Sequence, residues 1–432
     1  MKRSCVISSP VATQSGYGHH AREIIDNFIE QKDSEWDIKL LSMPWGSTPF
    51  TYPVSDDIKN RIVPLPLREQ PDIWVQITIP NEFQPVGKYN IGVTAVTEGD
   101  ICKKEWVESV NKMNLIIVPS QFTKQVLLNS SEKYNIPITT NIQVISEYFN
   151  ESIYNKKNTT AVVDELNDIH ESFCFLFVGH WLQGHLGQDR KNVSGLIKTF
   201  FDTFKNAQKM PALILKTSGA TYSITDQWEI EKKINEIQEI YGNSVKLPNV
   251  YLLHGDLSDN EMNALYNHSK VKAMVSFTKG EGFGRPLLEF GTSGKPIIAP
   301  VYSGQADFLE HVVGLQGGLT EVHSSARNEW IIAESKWFTP DYEFAKKALK
   351  QVYKHYNKYL PFSKEQKKFV ETNFTRKAIS KQYTEVLKIV QEYINKIPIV
   401  KPLELPKLKL PKLGKKESAE LPKLKLPKLN KV

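Results

Sequence analysis

Val275-Ser-Phe-Thr-Lys-Gly-Glu281-Gly-Phe-Gly-Arg-Pro-Leu-Leu-Glu289-Phe-Gly-Thr-Ser-Gly-Lys-Pro-Ile-Ile-Ala-Pro300 is the stretch on which the reading of this chain turns. It parses as strand, glycine loop, helix and strand. Ala273–Phe277 is an apolar strand, and Gly280, Gly282 and Gly284 let the backbone approach a ligand closely, with positive φ permitted. Pro286 suits the first helical position, where a missing N–H costs nothing. Gly294 closes that helix, and Pro296–Ala299 is the next strand. The helix offers free amides at its N-terminus, an anion site. Glu281 then lies in the loop at the C-terminal end of a strand, and Glu289 in the first turn of the helix. Two carboxylates framing amides aimed at an anion suit a ligand with hydroxyls at both ends and phosphates between, the layout of a nucleotide-sugar. The competing reading is a tight turn with capping glutamates. The Glu-x7-Glu spacing around Gly-Phe-Gly-Arg-Pro is more specific than that reading requires.

Outward from this stretch, short β-branched runs alternate with amphipathic helical patterns, the mark of parallel α/β layers. The first half predicts strands at Cys5–Ser8, Ile38–Leu41, Ile73–Ile77, Ile91–Val96, Leu115–Pro119 and Ile142–Ile145. The second predicts Phe173–Val178, Ala212–Lys216, Val250–His254, Ala273–Phe277 and Pro296–Ala299. Helical patterns fall at Ala21–Glu30, Lys103–Asn111, Ser194–Asn206, Asp226–Tyr241, Asp259–His268 and Arg376–Asn395. The polar stretch Asn150–His170 separates the two series. We therefore expect two Rossmann-like domains facing across a cleft: 1–155 on the acceptor side and 156–375 on the donor side. A helix at 376–398, apolar at Ile379, Tyr383, Val386 and Ile389/Val390, would pack back on the first domain.

The 432 residues include eight Trp, 17 Tyr and 20 Phe, which excludes a disordered chain. No apolar run reaches the roughly 18 residues of a membrane span. The start Met1-Lys2-Arg3-Ser4-Cys5-Val6-Ile7 has too short an apolar stretch for a secretory signal. Cys5, Cys102 and Cys174 form neither a disulfide framework nor a zinc site, and a cytoplasmic setting is expected. The six Asn-x-Ser/Thr triplets are accordingly read as chance. Apart from the adjacent His19 and His20, whose side chains point apart, the ten histidines form no ligand pair, and no metal site is expected. The net charge of +7 belongs to one segment, since residues 401–432 hold ten Lys against three Glu, and the other 400 residues balance. That tail repeats Leu-Pro-Lys-Leu-Lys-Leu-Pro-Lys-Leu at Leu405–Leu413 and Leu421–Leu429, and its prolines forbid a continuous helix. Residues 399–432 read as an extended, mobile tail: a solvated spacer, or a polycation for nucleic acid or an anionic surface.

The motif Glu281–Glu289 with Gly294-Lys-Pro-Ile-Ile-Ala resembles the GT-B-fold retaining glycosyltransferases of family 4, the group 1 glycosyltransferases. The resemblance implies that Glu281 contacts the hydroxyls of the transferred sugar and Glu289 the ribose of the nucleotide. Backbone amides around Gly282, Phe283, Gly284, Arg285, Pro286 and Leu287 would hold sugar and diphosphate without a metal or any cofactor beyond the nucleoside-diphosphate sugar itself. Phe175-Leu-Phe-Val-Gly-His180 and Asp189-Arg-Lys-Asn-Val-Ser194 look like the strand and basic loop opening the donor domain. Lys191 aligns with the lysine that neutralises the departing diphosphate. The family often has Arg where His180 stands, and Arg190 would supply that guanidinium. Lys216 either faces the donor or ends its strand in solvent, and His254-Gly-Asp-Leu-Ser resembles the segment against which the nucleobase packs. In the first half, Ser15-Gly-Tyr-Gly-His-His20 resembles the loop facing the diphosphate, which makes Gly16 and Gly18 candidates. A plain strand-to-helix turn is the alternative there. Thr97-Glu98-Gly-Asp100 stands at a strand end, where Glu98 or Asp100 would orient or deprotonate the acceptor hydroxyl. Alternatively Asp100 caps the helix Lys103–Asn111.

The resemblance thus implies transfer of a sugar to an acceptor hydroxyl with anomeric retention. Trp74–Gln84 and Val96–Asp100 look like a bacteriophage-encoded subset that glycosylates hydroxymethylated pyrimidines in DNA, and the basic tail suits a polyanionic acceptor in a host cytoplasm. A glycan, lipid or small-molecule acceptor is the alternative. An epimerase- or phosphorylase-like reaction on the same scaffold, or an inactive sugar-nucleotide-binding protein, are the readings from other classes.

Overall fold

The computed structural model describes residues 2–398, apart from 47, 66, 68, 159 and 220. The tail 399–432 lies outside the described residues, and with it the reading of its repeats. The first half runs β1 (Arg3–Ser9), α1 (Gly16–Lys32), β2 (Trp36–Ser42), α2 (Asp56–Arg61), β3 (Ile73–Ile77), β4 (Tyr89–Val93), α3 (Lys104–Val110), β5 (Leu115–Val118), α4 (Gln121–Tyr134) and β6 (Asn141–Val144). Its six strands form one parallel sheet in the order β2-β1-β3-β4-β5-β6. Parallel strands are covered on both faces, so they read as continuous apolar runs such as Leu115-Ile-Ile-Val118, wholly buried here.

The second half repeats the design with β7 (Cys174–Val178), α5 (Val193–Phe204), β8 (Ala212–Lys216), α6 (Ile224–Glu239), β9 (Val250–Leu253), α7 (Asp259–Asn267), β10 (Val271–Val275), α8 (Arg285–Gly291), β11 (Ile297–Ala299) and β12 (Val313–Gly314). Its parallel sheet runs β12-β11-β10-β7-β8-β9. Two parallel six-stranded sheets, each with flanking helices, give the expected two-part α/β layout. The polar stretch between the two sheets is packed: Tyr148, Phe149, Tyr154, Leu166 and Ile169 join a core shared by both halves.

Four features depart from the sequence-based expectation. α8 starts at Arg285, after Gly284 at φ 103°, so Pro286 is its second residue and Glu289 falls beyond the first turn. β4 stops at Val93, and Val96 takes a φ of 55°, which turns Glu98 away from the strand line. α3 begins after Lys103 with no side-chain cap, so Asp100 does not cap it. Finally, an antiparallel pair, β13 (Gly317–Glu321) and β14 (Lys336–Pro340), projects between β12 and α9 (Tyr342–Lys354) around a small core of Val322, Ala326, Ile331 and Trp337.

After α9 and α10 (Tyr356–Asn373), α11 (Arg376–Asn395) crosses back to the first half. It buries Ile379, Tyr383, Val386, Leu387, Val390 and Ile394, while Ile389 stays exposed. Its contacts are specific: Trp36 Nε1 donates to Gln391 Oε1 at 2.7 Å, and Arg3 donates to the carbonyls of Ile394 and Ile397, each at 2.8 Å.

Candidate functional site

The strands of both sheets end at a cavity of about 460 Å³, where open α/β sheets bind their ligands. Gly16, Tyr17, Trp45 and Glu98 line it from the first half. Gly179, His180, Arg190, Lys191, Lys216, Tyr222, Asp256, the Glu281–Pro286 loop and Glu289 line it from the second.

Glu281 sits at the centre of a charge network. Lys191 Nζ lies 2.5 Å from Oε1, Thr278 Oγ1 donates to the same oxygen at 2.7 Å, and Arg190 reaches Oε2 at 3.5 Å. Burial pushes this carboxyl up, but the Lys191 and Arg190 charges and the two hydrogen bonds outweigh it and hold the group below its ordinary value. Glu281 is therefore a carboxylate at neutral pH. Arg190 also spans the cleft to Glu98 Oε1 at 3.2 Å and donates to Gly280 O at 3.0 Å. Lys191 feels the reverse balance: burial lowers its pKa against the opposing pull of Glu281. Next to this network the amides of Phe283, Gly284 and Arg285 donate to none of the described residues, whereas the Leu287 amide is already bound to Gly284 O at 3.0 Å. Phe283 contributes backbone only, since its ring is buried against Phe308.

Glu289 is almost fully buried and accepts from Tyr266 OH at 3.3 Å, with Arg285 3.8 Å away. Burial, reinforced by Asp259, overrides the Arg285 charge and pushes its carboxyl up to about 8. The Arg285 guanidinium reaches across to the opposite half, where it binds Glu23 at 2.5 Å, Glu147 at 2.8 Å and Tyr148 O at 3.0 Å. His20, Glu23 and Glu147 offer three donor atoms within 4.8 Å of one another, but the Arg285 guanidinium already supplies the cation at both carboxylates.

The structure thus sorts the expected site residues. Glu281, Lys191, Arg190, Lys216, Gly16, Glu98, Gly282, Phe283, Gly284, Arg285, Pro286 and Glu289 meet at the cavity. Lys216 is not a solvent lysine: its Nζ donates to Gly255 O at 2.6 Å. Gly18 is not at the cavity; a Cβ there would lie 2.3 Å from Thr13 O, so it serves helix packing. Asp100 is also displaced, because its carboxylate accepts from the Lys336 amide at 2.6 Å and anchors β14. Leu287 is buried beneath the loop, and Arg285 clamps the two halves together. At the His180 position the imidazole sits 3.2 Å from Ser218 Oγ, and burial with the Lys191 and Arg190 charges lowers it to about 4, so it is neutral. Two wall residues were not singled out by the sequence: Tyr17, inside the Gly16–Gly18 loop motif, whose OH accepts from the Ala95 amide at 2.9 Å, and Trp45, which had no local signal and stacks on Tyr17 at 4.0 Å.

Residues 183–336 match the family model described as glycosyl transferases group 1. Among solved structures, HepE of Anabaena in complex with UDP and glucose aligns with 90% of this chain and 100% of its own, at 12% identity and a TM-score of 0.58. Sucrose-phosphate synthase of Thermosynechococcus elongatus aligns with 91% and 100%, at 12% identity and a TM-score of 0.57. The N-terminal domain of Candida albicans trehalose-6-phosphate phosphatase aligns with 90% and 97%, at 11% identity and a TM-score of 0.57. No curated protein matches the chain. Residues 183–336 thus match the group 1 glycosyltransferases, and the chain as a whole has the GT-B fold of these structures. Among the described residues no helix is long and apolar enough to cross a membrane.

Proposed function

We propose that the chain is a retaining glycosyltransferase that moves a sugar from a nucleoside diphosphate to an acceptor hydroxyl, without a metal. The observation that carries this reading is the Glu281 carboxylate held between Lys191 and Arg190, beside three amides with no partner among the described residues. A diphosphate on those amides, with the two cations alongside, meets a preorganised positive field as the sugar–phosphate bond breaks. Glu281 accepts the sugar hydroxyls and Glu289 the ribose. Retention is what the Glu281–Glu289 motif implies. Glu98, across the cleft and bound to Arg190, is placed to orient or deprotonate the acceptor. UDP-sugar complexes of the similar HepE structure support a nucleotide-sugar donor here.

For the acceptor we put first a hydroxymethylated pyrimidine of DNA. The tail 401–432 supports it with ten Lys against three Glu, and the stacked Trp45–Tyr17 wall offers a flat apolar face. Residues 2–155 carry 18 Asp+Glu against 14 Lys+Arg, so attraction of a polyanion would rest on the tail. A glycan, lipid or small-molecule acceptor is the alternative.

The test is mass spectrometry of nucleosides from hydroxymethylated DNA incubated with a panel of nucleoside-diphosphate sugars in EDTA. Glu281→Ala and a chain ending at residue 398 serve as comparisons. A hexose or pentose mass gain that vanishes in Glu281→Ala supports the reading, and the anomeric coupling constant of the product reports retention. Release of nucleoside diphosphate without a gain on DNA keeps the transferase and discards this acceptor. No release from any donor discards the transferase.

A further inference from the structure

The glycines flanking Glu281 approach the opposite half of the protein. A Cβ on Gly280 would lie 2.0 Å from Glu98 O, and one on Gly282 would lie 2.8 Å from Ala95 Cβ. Gly304 closes the loop from beneath, with a Cβ position 2.0 Å from Gly282 O. Between these contacts, two fully buried hydroxyls from α4 reach the carbonyl of Gly282. Ser120 Oγ donates to it at 2.7 Å, and Thr123 Oγ1 lies 3.3 Å from it. Ser120 is the N-cap of α4 and accepts from the Thr123 amide at 3.2 Å, and its Oγ stands 2.9 Å from Thr123 Oγ1, so the two hydroxyls form one pair in which the proton not shared between them goes to Gly282 O. In a planar trans peptide the C=O and the following N–H point in opposite directions. Fixing Gly282 O toward α4 therefore aims the Phe283 N–H away from α4, and that amide has no partner among the described residues.

We propose that Ser120 and Thr123 are positioning residues of the transfer step: they hold the Gly282–Phe283 peptide from across the cleft, so that Glu281 and the Phe283 amide align only when the two halves are closed. The inference rests on the transferase reading above, and it goes beyond the donor half by placing part of the loop's alignment on the acceptor half. Ser120→Ala removes the donor to Gly282. Losing one such hydrogen bond is expected to lower kcat about tenfold, with KM for the donor little changed. Ser120→Thr keeps a hydroxyl and restores kcat. Thr123→Val leaves the Ser120 cap of α4 in place and removes the second hydroxyl at Gly282 O, so it separates the two roles: a merely structural cap predicts wild-type kcat, whereas positioning predicts a loss.

A second readout needs no substrate. Hydrogen exchange measured by mass spectrometry should show faster uptake in the peptide 276–290 of Ser120→Ala, with uptake in β1 and α1 unchanged. If that variant does not fold, Thr123→Val probes the same carbonyl. Wild-type kcat together with wild-type exchange in a folded variant overturns the proposal. An inactive wild-type chain sinks the transferase reading, and the exchange experiment still decides this one.

Discussion

Gly280→Ala puts a steric question to the cleft. The added methyl would stand 2.0 Å from the backbone oxygen of Glu98, on the opposite half. Ordinary contact begins at 3.4 Å, so loop and wall must part by roughly 1.4 Å, and no flexible side chain is there to yield. The φ of Gly280 lies outside the left-handed region, so the effect is contact alone. Parting the halves strains the Arg190–Glu98 pair at 3.2 Å and the Ser120–Gly282 bond at 2.7 Å. A misplacement on the order of 1 Å costs about a hundredfold in rate. We therefore expect kcat to fall about 10²-fold. Opening the cleft relieves the clash, so the melting temperature should move little, and affinity for nucleoside diphosphate alone should stay near that of the wild type. The assay is steady-state transfer beside calorimetric titration of the nucleotide. Gly318→Ala, a site with nothing within 4 Å of the new methyl, is the control. A Gly280→Ala protein with wild-type kcat would refute the reasoning.

Three further outcomes follow from the geometry. Glu98→Gln should lower kcat by about 10²-fold if its carboxylate takes the acceptor proton, whereas Asp100→Ala should cost only about 1 kcal/mol of stability and leave kcat alone; kinetics and denaturant titration of both would show a reversed pattern if Asp100 faces the chemistry. Glu289 titrates at about 8 in the folded chain against an ordinary 4.5. Between those values the native state holds a proton that the unfolded chain has released, so stability falls as pH rises through that window. Thermal melts of Glu289→Gln should accordingly gain on the wild type as pH climbs, and a difference independent of pH would contradict the assignment. Ile394→Ala, beneath the last turn of α11, should cost about 2–4 kcal/mol in urea unfolding, and a loss below 1 kcal/mol would mean α11 is not part of the cooperative unit.

What was legible in the chain divides along physical lines. The parallel strands announced themselves because a strand buried on both faces must be apolar throughout, as in Phe175-Leu-Phe-Val. The β13–β14 pair did not, because Gly317–Glu321 is exposed along its whole length and the pair encloses only four core residues. α10 carries Pro361 inside it, a residue that argues against a helix on local grounds. In the site, Glu281, Glu289 and Lys191 were readable from spacing and resemblance. The partners of Arg285 were not: Glu23 and Glu147 lie 262 and 138 positions away, and no local pattern reports such a pairing. The same holds for Gly280 and Gly282. Their need for space was visible, but the neighbour that demands it, the Ala95–Glu98 loop, is distant in sequence.

The bond between Trp36 and Gln391 joins positions 355 residues apart, and that between Arg3 and Ile394 joins positions 391 apart. On the ribosome these pairs cannot form until nearly the whole chain has emerged, which at about 5–20 residues per second takes roughly 20–80 s. Once the first sheet is made, at Val144, about 250 residues remain before α11 ends, and for those roughly 12–50 s the surface that α11 will cover faces solvent. The earliest domain to be made is thus the last to be finished, and it passes through the cell for that time with an apolar seam open to any binder of nascent chains.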